Sequence, residues 1–270
     1  EKHWIGTGFI VGRKETSDPN LSTYYIITNK HVVKTPQYVY VRFNSLGDTL
    51  VKDYRIDLYD KAGAPMFSAH PNDKTDVIAL QISPQTLIDD KSIWGAFDLD
   101  DHALTLEQMQ STGVEEGHLI YALGFPMDLV DPIKVPICRL GCISRVTDAF
   151  ILKKSNPLFL VDAQTFPGNS GGPIVSRPDL ISFNGTLQIT SSNLIGILSA
   201  YIPYKEALYS CQTGRTRMIQ EENSGLTVVH PVDRVKEVVE LEWQRIEQQK
   251  IALSTVNDPS SQETKEEVAV

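Results

Sequence analysis

Cysteine is scarce: the 270-residue chain has three, Cys138, Cys142 and Cys211. An odd count in a chain this long excludes a disulfide framework and favours a reducing compartment. Long apolar runs are missing as well. No stretch reaches the about 18 consecutive apolar residues that cross a bilayer, so no membrane span is expected. Basic charge is in deficit, with 25 Lys and Arg against 34 Asp and Glu and a net charge of −9. That balance argues against a phosphate-binding face, so no nucleic-acid partner is expected. The chain opens at Glu1 without an initiator Met or a signal-peptide pattern. The cysteine usage favours the cytoplasm, and a periplasmic setting stays open if a leader was removed. Cys138 and Cys142 lie in an extended-looking stretch, where four residues span about 13 Å. That is too far for a shared ion or a disulfide, so both read as small buried side chains, and no metal or other cofactor is expected.

What the chain does contain is many short β-branched runs separated by turn signals. Residues 4–12 (WIGTGFIVG), 24–33 (YYIITNKHVV), 38–43 and 76–82 (DVIALQI) read as strands in the first half. Residues 118–124, 135–146, 157–163, 173–176, 193–201 and 226–229 repeat the pattern in the second. This density suits an all-β sandwich or barrel. Helical periodicity appears only near the end. Pro231 followed by Val232, Val235, Val238, Val239, Trp243 and Ile246 predicts an amphipathic helix packed on the second β unit. Residues 253–270 are polar and Pro/Ser/Glu-rich, as in a tail or linker. Polar stretches at 13–23, 84–105 and 177–193 read as plain loops.

The segment with the most chemistry is Pro167-Gly168-Asn169-Ser170-Gly171-Gly172-Pro173. Glycines permit positive φ and close backbone approach, so such a turn can present the Ser170 hydroxyl while neighbouring N–H groups converge on one point. That point suits the oxyanion of an acyl-transfer intermediate. A serine hydroxyl needs an adjacent base, and histidine has the right pKa for that work. Of the six histidines, His31 stands where an apolar strand ends, a usual place to display a catalytic group. Asp76 opens the run Val77-Ile78-Ala79-Leu80, at the lip of a buried strand where a carboxylate needs a partner. Asp73 sits in a polar turn and reads as solvated.

The order His31, Asp76, Ser170, within TNKHVV, TDVIALQI and PGNSGGP, resembles that of the chymotrypsin-fold serine peptidases. It is most similar to the bacterial Deg/HtrA-type branch. GTGFIV at 6–11, YALGFP at 121–126, NLIGILSAY at 193–201 and SGLTVVHPVDRVKEVVE at 224–240 resemble that branch too. The resemblance covers residues 4–240. It implies two six-stranded antiparallel β-barrels and a C-terminal helix. The first barrel would occupy 1–105 and carry His31 and Asp76, followed by a linker at 106–117. The second, at 118–230, would carry Ser170, followed by a helix at 231–252 and the tail.

The resemblance also implies roles. Ser170 would be the nucleophile, His31 the general base and then acid, and Asp76 the orienter. The oxyanion hole would comprise Gly168, Asn169 and Ser170, with the donors at Gly168 and Ser170. Secreted trypsin-like enzymes usually carry Asp where Asn169 stands, paired with a new N-terminus. Activation by an inserted N-terminus is therefore not expected. By the family pattern, Gln164 lies at the base of the substrate pocket, so a cationic side chain would lack a counter-charge. Ser199, Ala200 and Tyr201 would line the pocket and pair with the substrate backbone, with Gly225 alongside. Tyr201 stands where deep pockets carry glycine, which predicts cleavage after small or medium aliphatic residues. The tail sequence Glu267-Val268-Ala269-Val270 matches that preference, either as a linker end or as a self-cleavage end. Expected partners are a protein or peptide substrate and an activating partner or further domain beyond residue 270. A PDZ-like domain is not expected within residues 241–270. A binding module that uses the same fold without turnover is the alternative from another functional class.

Overall fold

The computed structural model describes residues 4–256, apart from 17, 19, 35, 129–134, 153–155 and 180–187. The self-cleavage reading of Glu267 to Val270 lies outside the described residues, as does most of the tail.

The first half opens with β1 (Phe9–Lys14), β2 (Ser22–Thr28) and the one-turn α1 (Lys30–Val33). It continues through β3 (Tyr38–Ser45), β4 (Val51–Asp57), β5 (Ser68–Ala69) and β6 (Ile78–Ile82). Helix α2 (Pro84–Asp89), β7 (Ser92–Ile93) and β8 (Ala96–Asp98) complete it. The region 84–105, read from sequence as a loop, therefore carries a helix and two short strands.

These strands form a five-stranded sheet in the order β5-β6-β2-β1-β8 and a three-stranded sheet in the order β4-β3-β7. The expectation of two closed barrels thus fails in this half. The strand that should join the sheets, β5, is two residues long and pairs only with β6, while β4 pairs only with β3. A cavity of ≈ 550 Å³ lies along the open seam, lined by Tyr54 and Ile56 of β4, Leu80 and Ile82 of β6, and Arg245 and Ile246 further along the chain.

Helix α3 (Leu106–Thr112) follows, started by a capping box between Thr105 and Gln108. The second half comprises β9 (Leu119–Gly124), β10 (Ile137–Arg145), the short helix α4 (Thr147–Leu152), β11 (Phe159–Asp162) and β12 (Pro173–Ser176). It ends with the long pair β13 (Leu194–Tyr209) and β14 (Thr216–Pro231). Six of these strands close a barrel in the order β10-β11-β14-β13-β12-β9. Its core is built from Ile120, Ala122, Ile143, Phe159, Val161, Ile174 and Ile195, all nearly devoid of solvent contact. On β10 successive side chains alternate between core and solvent, which leaves Cys138 exposed and Cys142 half-buried. The reading of both cysteines as buried is corrected by that alternation.

Helix α5 (Val232–Val256) begins directly after β14. Its buried stripe of Val232, Val235, Val238 and Val239 packs on Phe9, Val11, Tyr25, Ile27, Val77 and Ala79 of the first half, and on Leu194 and Ile197 of the barrel. Inside this joint the fully buried Glu242 accepts hydrogen bonds from Ser68 Oγ and from Arg245 on both oxygens, so its charge is paired. No described helix is long and apolar enough to cross a membrane.

Candidate active site

The strand β2 ends at Thr28, and the chain turns at once into α1, which carries His31. Two contacts fix that turn. Asn29, fully buried, donates from Nδ2 to the backbone oxygen of Asp76 at 2.6 Å. Lys30 Nζ donates to the carbonyls of His70 at 2.6 Å and Asn72 at 3.0 Å. The loop before β6 is thereby held against α1.

Asp76 sits at the centre of the resulting cluster. Its Oδ2 lies 2.6 Å from His31 Nδ1, and its Oδ1 accepts the His31 backbone N–H at 3.1 Å. Oδ2 also accepts the Ser199 hydroxyl at 3.1 Å. Burial alone would raise this carboxyl, but the hydrogen bonds and charge from His31, with the Ser199 hydroxyl, outweigh it and hold the pKa below the usual carboxylate value. Ionised Asp76 accepts from Nδ1–H of His31, which leaves Nε2 as the ring's free basic nitrogen. The His31 side chain is 49% exposed.

The serine turn comes from the other half. Asn169 N–H donates to Phe166 O at 3.0 Å, with Pro167 and Gly168 between them and Gly168 at φ +98°. Proline second and a positive-φ glycine third make a type II β-turn. The Asn169 side chain, fully buried, closes the turn from inside by accepting Phe166 N–H at 3.0 Å. The amides of Asn169, Gly171 and Gly172 all have backbone acceptors. Those of Gly168 and Ser170 have no hydrogen-bond partner among the described residues. Asn169 therefore supports the turn between the two amides, with its own N–H engaged by Phe166 O. Gly171, at φ +86°, allows a backbone crossing that a Cβ would block, since one placed there would meet Thr7 O at 2.1 Å.

One residue of the first half pins this turn. Thr7 Oγ1 donates to Gly168 O at 2.6 Å and accepts Phe125 N–H at 3.0 Å, and its backbone N–H donates to Ser170 O at 2.8 Å. Ser199 then joins the two parts. Its carbonyl accepts the Ser170 hydroxyl at 3.1 Å, and its own hydroxyl reaches Asp76. His31, Asp76, Ser199 and Ser170 therefore form one continuous cluster, with the Ser170 hydroxyl turned to Ser199 rather than to His31.

The remaining sequence-derived residues sit on β13, on β14 and just after β11. Ala200 and Tyr201 follow Ser199 along β13 and pair with Val228 and Thr227 of β14. Gln164 is exposed, next to Ala163, whose N–H donates to Gly225 O at 3.1 Å. Asn223 Nδ2 donates to Thr165 O at 2.6 Å, tying the same two walls together.

Two contributors were missed from sequence. Thr7 is hidden between two glycines, with nothing in its type to mark it. His230 is more legible, as a lone polar residue in the apolar run Val228-Val229-His230. It is 2% exposed and accepts the Asp76 backbone N–H on Nε2 at 3.1 Å. Burial, reinforced by His70, Arg234 and Lys30 and opposed by Asp76, pushes its pKa down to about 4. The ring behind Asp76 is thus neutral at ordinary pH.

A profile of the trypsin-like peptidase domain matches residues 6–179. A search of curated proteins found no match. Among solved structures the chain is similar to the HtrA-type protease AlgW with a decapeptide, at 16% identity and a TM-score of 0.41, covering 91% of this chain and 65% of that one. It therefore spans just under two thirds of the length of AlgW. It is also similar to the MamO protease domain of Magnetospirillum magneticum in its apo form, at 14% identity and a TM-score of 0.44, covering 88% of this chain and 97% of that one. The profile extends from the glycine pair around Thr7 through Asp76 to beyond the serine turn, and on that match the chain belongs to the trypsin-like peptidase domain family.

Proposed function

We propose that the protein is a serine endopeptidase in which Ser170 is the nucleophile, His31 the proton carrier and Asp76 its orienter. The observation that carries this reading is the His31–Asp76 pair, linked through Ser199 to a serine turn with two amides that have no partner among the described residues. In the reaction, Ser170 Oγ leaves Ser199 O and attacks the substrate carbonyl carbon while its proton passes to His31 Nε2. The carbonyl oxygen, now negative, is received by the amides of Gly168 and Ser170. Collapse breaks the C–N bond, and His31 returns the proton to the departing amine. Water, deprotonated by His31, then hydrolyses the acyl-enzyme, and Ser170 regains its proton. Asp76 keeps the Nδ1–H tautomer in place and stabilises the imidazolium formed in each half-reaction.

Neutral Gln164 and the bulk of Tyr201 support acceptance of small or medium aliphatic side chains before the cleaved bond. Digestion of a mixed peptide library, read by mass spectrometry, tests both statements. Cleavage after Ala, Val, Ile or Leu that vanishes in Ser170→Ala is expected. A preference for Arg, Lys or Phe would refute the pocket, and a digest unchanged in Ser170→Ala would refute the nucleophile. The contact between the Ser170 hydroxyl and Ser199 O favours a second reading, a resting or binding form whose serine must turn before it can act.

A further inference from the structure

The barrel strand β13 is 16 residues long and does not end where the barrel does. Against β12 it pairs only through Leu194, Gly196 and Ile197, whereas against β14 it pairs out to Tyr209. From Ser199 outward, the edge of β13 opposite β14 has no strand neighbour among the described residues. That free edge starts where Ser199 O accepts the Ser170 hydroxyl. It continues along a two-stranded arm, residues 202–223, that stands clear of the barrel.

A lone two-stranded hairpin is marginal in water and needs a third partner for stability. This arm also exposes apolar side chains. Tyr204, Leu208, Tyr209, Met218 and Ile219 are each more than half exposed. They are not gathered on one side. Leu208 faces Met218 across the ladder, and Ala207 faces Ile219 one residue back, on the opposite surface. A protein docking on one face would leave the other bare, whereas a strand added beside β13 sets side chains against Tyr204 and Leu208 on one face and Ala207 on the other. Pro203 withdraws one backbone donor, and the Lys205–Glu221 ion pair crosses towards β14, so neither blocks the edge as a whole.

We propose that this edge of β13 is a strand-addition site for the substrate polypeptide, lengthening the cleft along the arm on the acyl side of the cleaved bond. The proposal rests on the reading that Ser199, Ala200 and Tyr201 pair with the substrate. A chain laid antiparallel there has one direction in which to continue, along Pro203 to Tyr209. The site would select unfolded or extended segments with several residues before the cleaved bond, largely regardless of their sequence, because main-chain hydrogen bonds carry the affinity.

Equilibrium binding to Ser170→Ala protein tests the arm without needing turnover. Two fluorescein-labelled peptides share their C-terminal half, one about 6 and one about 14 residues long, the difference spanning the arm at about 3.3 Å per residue. The longer peptide should bind about tenfold or more tightly, and N-methylation of alternate amides in the added segment should erase the gain. Replacing residues 204–221 by an Asn-Gly turn should also erase it while leaving the short peptide unaffected. Equal affinities, or a gain that survives N-methylation, would overturn the proposal. A dimer seen by light scattering and lost on removal of the arm would assign the edge to a second copy and overturn it as well. Failure of the wild-type protein to cleave either peptide would count against the peptidase reading alone.

Discussion

Residues 9–98 form two sheets that stay apart along β4 and β6, whereas residues 119–231 close six strands into a barrel. The closed half has a core of its own, in which Phe159, Ile174 and Ile195 meet inside the ring. The open half does not. Its largest cluster, around Tyr25, Ile27 and Val77, is completed by four valines of α5 and by Leu194 and Ile197 of the barrel. The difference explains where the site's parts come from. The half that cannot finish its own core supplies His31 and Asp76, and Asp76, which holds His31, is fixed by groups reaching over from the other half, Ser199 and His230. The serine turn of the closed half is held in return by Thr7. Each half therefore positions chemistry for the other, and a site assembled this way forms only when the joint does.

The largest effect that bears on this comparison should come from Asp76→Asn. An amide has one acceptor oxygen and no charge, so it cannot receive both the His31 backbone N–H on one side and Nδ1–H with the Ser199 hydroxyl on the other, and the tautomer of His31 is released. Peptide hydrolysis should fall by about 10⁴-fold. A loss below about tenfold would mean that the open half contributes only scaffold.

The next effect concerns pH and His230. Its folded pKa, at about 4, lies below the unfolded value of about 6.5. Above pH 6.5 both states are neutral there and the folded state has its full stability. As pH falls towards 4 the unfolded chain takes the proton first, so stability is lost across that window, by about 3 kcal/mol. Thermal unfolding from pH 7 to 4 should show this slope, and His230→Asn should flatten it. The lowered carboxyl of Asp76 acts in a separate range, losing its stabilising contribution as pH drops below about 4. An unchanged slope in His230→Asn would show that the pH dependence comes from other groups.

Val238→Ala tests the shared core. The side chain is fully buried in α5, and its loss should cost about 2 kcal/mol. Hydrogen exchange should accelerate in β1, β2 and β6 more than in β10 and β11. Uniform acceleration would show that the barrel core is no more independent than the first half. The smallest effect belongs to Thr7→Val, which keeps the shape but leaves Gly168 O and the Phe125 N–H without their partner. Hydrolysis should drop by about tenfold through the loosened oxyanion turn, at constant affinity for a bound peptide.

Residue type and order made much of this site legible. A serine among glycines, a histidine at a strand end and an aspartate at a strand mouth can each be picked by the chemistry they need, but their distances follow only from the fold. Thr7 could not be picked, because a threonine between glycines looks like any β-strand residue, and its role arises from three contacts distant in sequence. The arm was invisible for another reason. Apolar alternation marked 193–201 and 226–229, but beyond them Lys205, Glu206, Glu221 and Glu222 break the pattern, and pairing between the two strands carries the ladder onward. The open first half was equally hidden, since whether β5 is two residues or six depends on its neighbours.

The claim that both halves together make one acylation site is tested most directly by labelling with a fluorophosphonate probe, read by intact-protein mass spectrometry. A single adduct on Ser170 is expected in the wild-type protein, none in Ser170→Ala, and labelling slowed at least about 100-fold in Asp76→Asn. No Ser170-dependent adduct in the wild type at any pH from 6 to 9, with substrate peptides present or absent, would contradict it and leave a protease fold that binds without cutting.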